Sequence, residues 1–232
     1  MLIVKGQDKV ILHMPKCAGS SVRWAVIKQY PDYRWSCEHA PVDAIPERYR
    51  DFKRIGFCRS PRTWYISKYF HDREQNKRGP LMDTLSLVNI LSNGFGLSFE
   101  QTLPRLLDVQ NFFEISPDHL KQLKVRLRQL EMNKYLCRIS ATYPDLSELS
   151  AADFKPTLYD YWYNLVGLNT ATVYKMDDQH FSANVNKEFP GVKVGRRNIG
   201  KVKEPLSNKS FQLIVKADNQ YFEKYKYSRS AL

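Results

Sequence analysis

Three times along this chain a short apolar, β-rich run ends at a cluster of polar or basic residues and hands over to a stretch with helical character. The first is KVILHM, followed by the turn PKCAGSS and a helix over roughly residues 20–30, with Ser20 or Ser21 as its N-cap candidate. The second is FKRIGFC followed by RSPRTWYISKYFHDRE, where Ser60 can cap and Pro61 fits the first helical position. The third is TATVYKMDD near 170–178, leading into a segment that can turn helical around 179–187. Strands alternating with helices argue for an α/β fold with a central parallel sheet flanked by helices, whose ligands sit at the carboxyl ends of the strands. Both polar turns then fall on one sheet edge.

Residues 75–165 read mostly helical and are expected to form a helical insertion within a single domain spanning 1–232. SPDHLKQLKVRLRQLEMN is the clearest case, with Leu120, Leu123, Leu127 and Leu130 on one face, a stripe that reads as core. The aromatic run YDYWYN reads as packing rather than a sugar-stacking platform. The last part of the chain carries a basic loop, GVKVGRRNIGKVK, and an amphipathic segment, FQLIVKADNQYFEKYKY.

With 36 Lys and Arg against 24 Asp and Glu, the formal charge of +12 favours an anionic partner: nucleic acid, a membrane surface or a small polyphosphate-like ligand. The four cysteines, at 17, 37, 58 and 137, show no C-x-x-C spacing. Neither a zinc site nor a disulfide framework is indicated, and a reducing compartment is the simpler reading. The start MLIVKGQDKVILHM lacks a signal-type apolar core, and no run reaches the roughly 18 apolar residues of a membrane span. The expectation is a soluble, cytoplasmic protein without a membrane span, although a luminal domain cut from an anchor would read the same.

The turn PKCAGSS carries the chemistry. A strand that ends in small residues and passes into a helix leaves backbone N–H groups pointing into one concavity, and Lys16 adds a mobile charge beside them. It is not the common phosphate loop, G-x-x-x-x-G-K-[ST], because here the lysine precedes the glycine. In the second turn, Arg59 leaves the strand end and Ser67 follows eight residues later, about two helical turns on. A guanidinium and a hydroxyl so spaced can bracket a second phosphate. Two phosphate seats on one edge point to a nucleotide phosphorylated at two separate positions.

At these residues the sequence resembles the sulfotransferases that use 3′-phosphoadenosine 5′-phosphosulfate (PAPS), specifically the carbohydrate branch. Its 5′-phosphosulfate loop is similar to H-I-P-K-T-G-G-T-S and its 3′-phosphate motif to R-D-P-x-x-x-x-x-S. The resemblance extends weakly to VYKMDD, RRNIGK and FEKYKY, and residues 75–165 match nothing in it. It implies a P-loop-like nucleotide-binding sulfotransferase fold. Pro15, Lys16, Cys17, Ala18, Gly19, Ser20 and Ser21 would then form the phosphosulfate loop, with Lys16 stabilising the bridging oxygen as the S–O bond breaks. Arg59 and Ser67 would bind the 3′-phosphate, with Arg196 or Arg197 as a further contact. The departures are Cys17 for Thr, Ala18 for Gly and Ser60 for Asp. Ala18 permits a tight turn if its φ is negative.

The resemblance implies transfer of a sulfuryl group to an acceptor hydroxyl, with carbohydrate as the preferred acceptor, 3′-phosphoadenosine 5′-phosphate (PAP) as product and no metal. An ATP-dependent small-molecule or nucleoside kinase and a basic nucleic-acid-binding module are the alternatives. The lysine position and the absence of a Walker pattern count against the first, and the absence of an RNP-like pattern against the second. Transfer needs a base. His39 and Glu38, in the turn-rich stretch SCEHAPVD between the two motifs, are the candidates, with residues 75–165 as the remaining source. His13 reads as a packing residue beside the loop. Oligomeric state leaves no signal.

Overall fold

The computed structural model describes residues 1–35, 39–77, 87–131 (side chains to 125), 150–195 and 206–230. Five strands appear in chain order: β1 (Leu2–Val4), β2 (Lys9–Leu12), β3 (Tyr33–Trp35), β4 (Lys53–Cys58) and β5 (Thr172–Lys175). The described helices are α1 (Gly19–Gln29), α2 (Pro61–Asn76), α3 (Leu87–Leu91), α4 (Phe99–Leu106), α5 (Val109–Ile115), α6 (Pro117–Glu131), α7 (Leu158–Leu165), α8 (Phe181–Glu188), α9 (Asn208–Ala217) and α10 (Asn219–Tyr225). None is long and apolar enough to cross a membrane.

The fold is α/β, and its sheet is mixed, with the order β3-β1-β2-β4-β5. β2, β4 and β5, the strands of the three sequence units, are parallel neighbours: Leu12 lies opposite Gly56, and Cys58 opposite Lys175. β1 and β3 are antiparallel additions that correct the expectation of a parallel sheet. The cause is local. Only Lys5–Asp8 separate β1 from β2, with Asp8 left-handed at φ 47°, and so short a connection can join only antiparallel strands. β1, β2 and the second half of β4 are buried almost throughout, whereas β3 is exposed along its length. Unbroken apolar runs such as VIL are what strands covered on both faces require.

The chain divides into two compact units, one of Met1–Ser60 with Trp162–Lys201 and one of Pro61–Tyr161 with Val202–Leu232. In the first, Glu188 at the end of α8 is a clasp. It accepts from both Lys53 Nζ (2.7 Å) and the Tyr174 hydroxyl (2.6 Å), while Lys9 lies 3.5 Å away. Burial pushes the Glu188 carboxyl up, but hydrogen bonds from Lys53 and Tyr174 and the two lysine charges together hold it below its ordinary value. The clasp joins α8 to the first residues of β2 and β4 and to Tyr174 of β5.

The second unit is all helical among the described residues. Pro61 opens α2, as its fixed φ allows, and Ser98 with Gln101 forms a reciprocal capping box on α4. α6 begins at Pro117, with Leu123 of its leucine stripe buried and Leu120 half-buried; Leu127 and Leu130 lie outside the described side chains. The amphipathic segment near the end is two helices, broken at Asp218. That carboxylate is fully buried and accepts from the Tyr65 hydroxyl (2.8 Å) and from Thr157 Oγ1 (2.7 Å). Burial raises its pKa to about 7, only partly countered by those two bonds. Tyr159 and Tyr161, from the YDYWYN run, are packing residues of this unit.

Candidate functional site

The first unit brings the ends of β2, β4 and β5 to one edge, and the candidate residues from three distant parts of the sequence meet there. After β2, His13 and Met14 lead into the loop, where Pro15 and Cys17 are buried and Lys16, Ala18, Ser20 and Ser21 are half-buried. Lys16 and Ala18 both take left-handed backbone, at φ 62° and 58°. Ala18 therefore does not hold the negative φ that the sequence reading required of it. Two non-glycine residues in this region two positions apart carry strain that the surroundings must overrule, a feature that clusters at ligand-binding turns. Alternation of left- and right-handed backbone is also how successive N–H groups are turned into one anion-binding concavity.

α1 starts at Gly19 with Ala18 as its N-cap and no side-chain cap, so neither Ser20 nor Ser21 is the cap. Both serines stand in the first turn instead, where main-chain N–H groups have no partner within the helix. The reason for the early start is His13. A Cβ on Gly19 would lie 1.8 Å from His13 Cδ2, so only glycine allows the helix to begin against that ring.

His39 completes the wedge. Its Nδ1 donates to the main-chain oxygen of His13 (2.7 Å), and its ring centroid lies 4.2 Å from that of His13 and 5.9 Å from that of Trp162. A neutral imidazole that donates from Nδ1 carries its lone pair on Nε2. His39 is itself left-handed, at φ 54°. The base candidate is thus anchored to the residue two positions before the loop.

Cys17 faces inward. Its thiol is pushed well above its ordinary pKa by burial first, then by Cys58 and Asp177, against the opposing effect of the Arg59 charge and an Arg59 main-chain hydrogen bond. The first loop and the end of β4 are therefore in contact through Cys17, and its side chain is a packing element, not a substitute for a hydroxyl donor. Arg59 is half-buried beside it, and Asp177, past the end of β5, accepts from the Ser60 main-chain N–H (3.2 Å). Ser67 is half-buried on α2 and belongs to the second unit. Glu38, Arg196 and Arg197 lie outside the described residues. Among the described residues no group of three or more His, Cys, Asp or Glu side chains is arranged to hold a metal ion.

Sequence reasoning passed over two participants, Asp177 and Trp162, and read a third, His13, as packing beside the loop without its contact to Gly19. Asp177 was visible as half of an acidic pair, but its bond to Ser60 depends on the β4–β5 register. Trp162 appeared only as part of an aromatic run. The wedge role of His13 had one signal, a glycine six residues downstream, which does not by itself announce a ring contact. No protein-family model, curated protein or solved structure gives a significant match to this chain.

Proposed function

We propose that the protein is a PAPS-dependent sulfotransferase with a P-loop-like nucleotide-binding fold, acting on an acceptor hydroxyl of a carbohydrate. The observation that carries the reading is the left-handed turn at Lys16 and Ala18, held at the open first turn of α1, with Arg59 against Cys17 and His39 bonded to the main chain of His13.

In this reading the 5′-phosphosulfate lies over the loop. The N–H groups of Gly19, Ser20 and Ser21 and the α1 dipole hold its oxygens. The acceptor oxygen attacks sulfur as its proton passes to His39 Nε2, and the bond from sulfur to the bridging oxygen breaks. Lys16 stabilises the negative charge left on the departing 5′-phosphate of PAP, the point at which a fixed cation lowers the barrier most. Arg59 holds the 3′-phosphate through charge-assisted bonds. The positive charge this step needs comes from Lys16 and the helix N-terminus.

The test is a reaction with PAPS and a panel of glycan and small-molecule acceptors, read by mass spectrometry for the added sulfuryl mass and for PAP. Stoichiometric appearance of both supports the reading. Phosphorylation of an acceptor by ATP with magnesium, and no reaction with PAPS, would replace it with the kinase alternative.

A further inference from the structure

A cleft of about 510 Å³ opens on the first unit beside the phosphate loop, lined among others by Ser21, Trp24, Lys28, Tyr33, Lys193 and Gly195. Its size falls within the range of small-ligand sites. Ser21, Trp24 and Lys28 follow the i, i+3, i+7 stripe of α1. The stripe runs from the loop at one end to Lys28 about 10 Å along the helix.

The walls are aromatic and cationic. Trp24 is 55% exposed and Tyr33 39% exposed, so both rings present open apolar surface at the cleft. Tyr33 and Trp35 lie on one face of β3 by strand alternation. The Arg23 guanidinium lies over both tryptophans, 4.2 Å from the ring centroid of Trp35 and 5.3 Å from that of Trp24, and Trp24 remains 55% exposed. Among the described residues, Lys28 and Lys193 join none of the ion pairs and no carboxylate lines the cleft.

We infer that this cleft binds an acidic oligosaccharide, with a pyranose ring on Trp24 and carboxylate or sulfate groups on Lys28 and Lys193, and that it delivers the acceptor hydroxyl past Ser21 to the loop. The inference rests on the sulfuryl-transfer reading and narrows its acceptor class from carbohydrate to anionic carbohydrate. Unpaired lysines beside a stacking face suit a ligand that carries its own anions. Single-stranded nucleic acid uses a similar chemistry but needs a succession of open stacking faces, and Arg23 already occupies that of Trp35.

The experiment measures binding of a sulfated, uronate-containing octasaccharide, a neutral dextran oligosaccharide and an oligothymidylate of matched length. Wild type is compared with Trp24→Ala and with the Lys28→Ala/Lys193→Ala double variant, and PAP binding is followed in parallel by thermal shift. The lysine double variant is expected to weaken the sulfated ligand by about tenfold or more, the scale of a lost charged contact, and Trp24→Ala to weaken it through the lost stacking face, while the PAP shift is unchanged in both. Binding of the sulfated ligand is also expected to fall with salt. Equal binding by the neutral chain, equal or tighter binding by the oligothymidylate, or unaltered affinity in both variants overturns the inference. Octasaccharide binding without any PAP shift would sink the sulfuryl-transfer reading but keep the cleft. A PAP shift without octasaccharide binding would do the reverse.

Discussion

His39 donates through Nδ1 to the main-chain oxygen of His13 at 2.7 Å, and the His13 ring in turn rests where a side chain on Gly19 would have to be. One contact chain therefore links the base candidate to the start of the helix whose N-terminus faces the proposed phosphosulfate. Orientation of the imidazole and of the loop are set by the same residue.

His39→Asn should remove the base while keeping the left-handed backbone, which Asn tolerates. Turnover with PAPS is expected to fall by about 10²- to 10⁴-fold, the usual contribution of a positioned proton acceptor. PAP affinity should stay within a few-fold. Steady-state kinetics with a parallel PAP titration checks both, and retained turnover would move the base to Glu38 or to residues 75–165.

Gly19→Ala places a methyl group against the His13 ring. Overpacking at such a point costs about 1–3 kcal/mol, and PAP affinity should fall with it because the first turn of α1 shifts. The His13→Ala/Gly19→Ala double variant should recover most of the lost stability. A denaturation cycle over the four proteins reads the coupling, which should exceed about 0.5 kcal/mol for residues in contact.

How much of this arrangement was legible in the sequence depended on the length scale of the contact. The three strand–turn–helix units and their parallel order follow from patterning over ten residues, and they are present as β2–α1, β4–α2 and β5–α8. Pro61 declared its helix start because its ring fixes φ. Ser20 and Ser21 misled because a serine's capping preference says nothing about a ring packed on the preceding glycine. β1 and β3, three residues each, are too short to show a period. The His13–His39 bond joins residues 26 positions apart, and nothing local encodes it.

Asp218 makes stability depend on pH in the second unit. Its folded pKa is about 7, against about 3.9 for an unperturbed aspartate, so the folded state holds the proton more tightly. The stability that this group contributes is complete below the unfolded value and is lost as pH rises through 7. Urea denaturation at pH 5 and pH 8 should show a larger loss of stability with rising pH for wild type than for Asp218→Asn. An equal change in both would contradict the assignment.

Glu188 works in the opposite direction. Its folded pKa is lowered, so its contribution is present above the unfolded glutamate value and lost as pH falls below it. Glu188→Gln keeps the shape but drops the charge that Lys53 and Tyr174 satisfy, and should cost about 1–3 kcal/mol at pH 7. The difference from wild type should shrink in acid, which thermal melts at pH 7 and pH 3.5 would record.

The central claim rests on Lys16, and the most direct measurement is single-turnover sulfuryl transfer from PAPS by wild type and Lys16→Ala, with PAP affinity measured on the same preparations. The account predicts a loss of about 100- to 1,000-fold in the rate of transfer, with a much smaller loss in PAP affinity. Transfer that survives within a few-fold in the variant would contradict it.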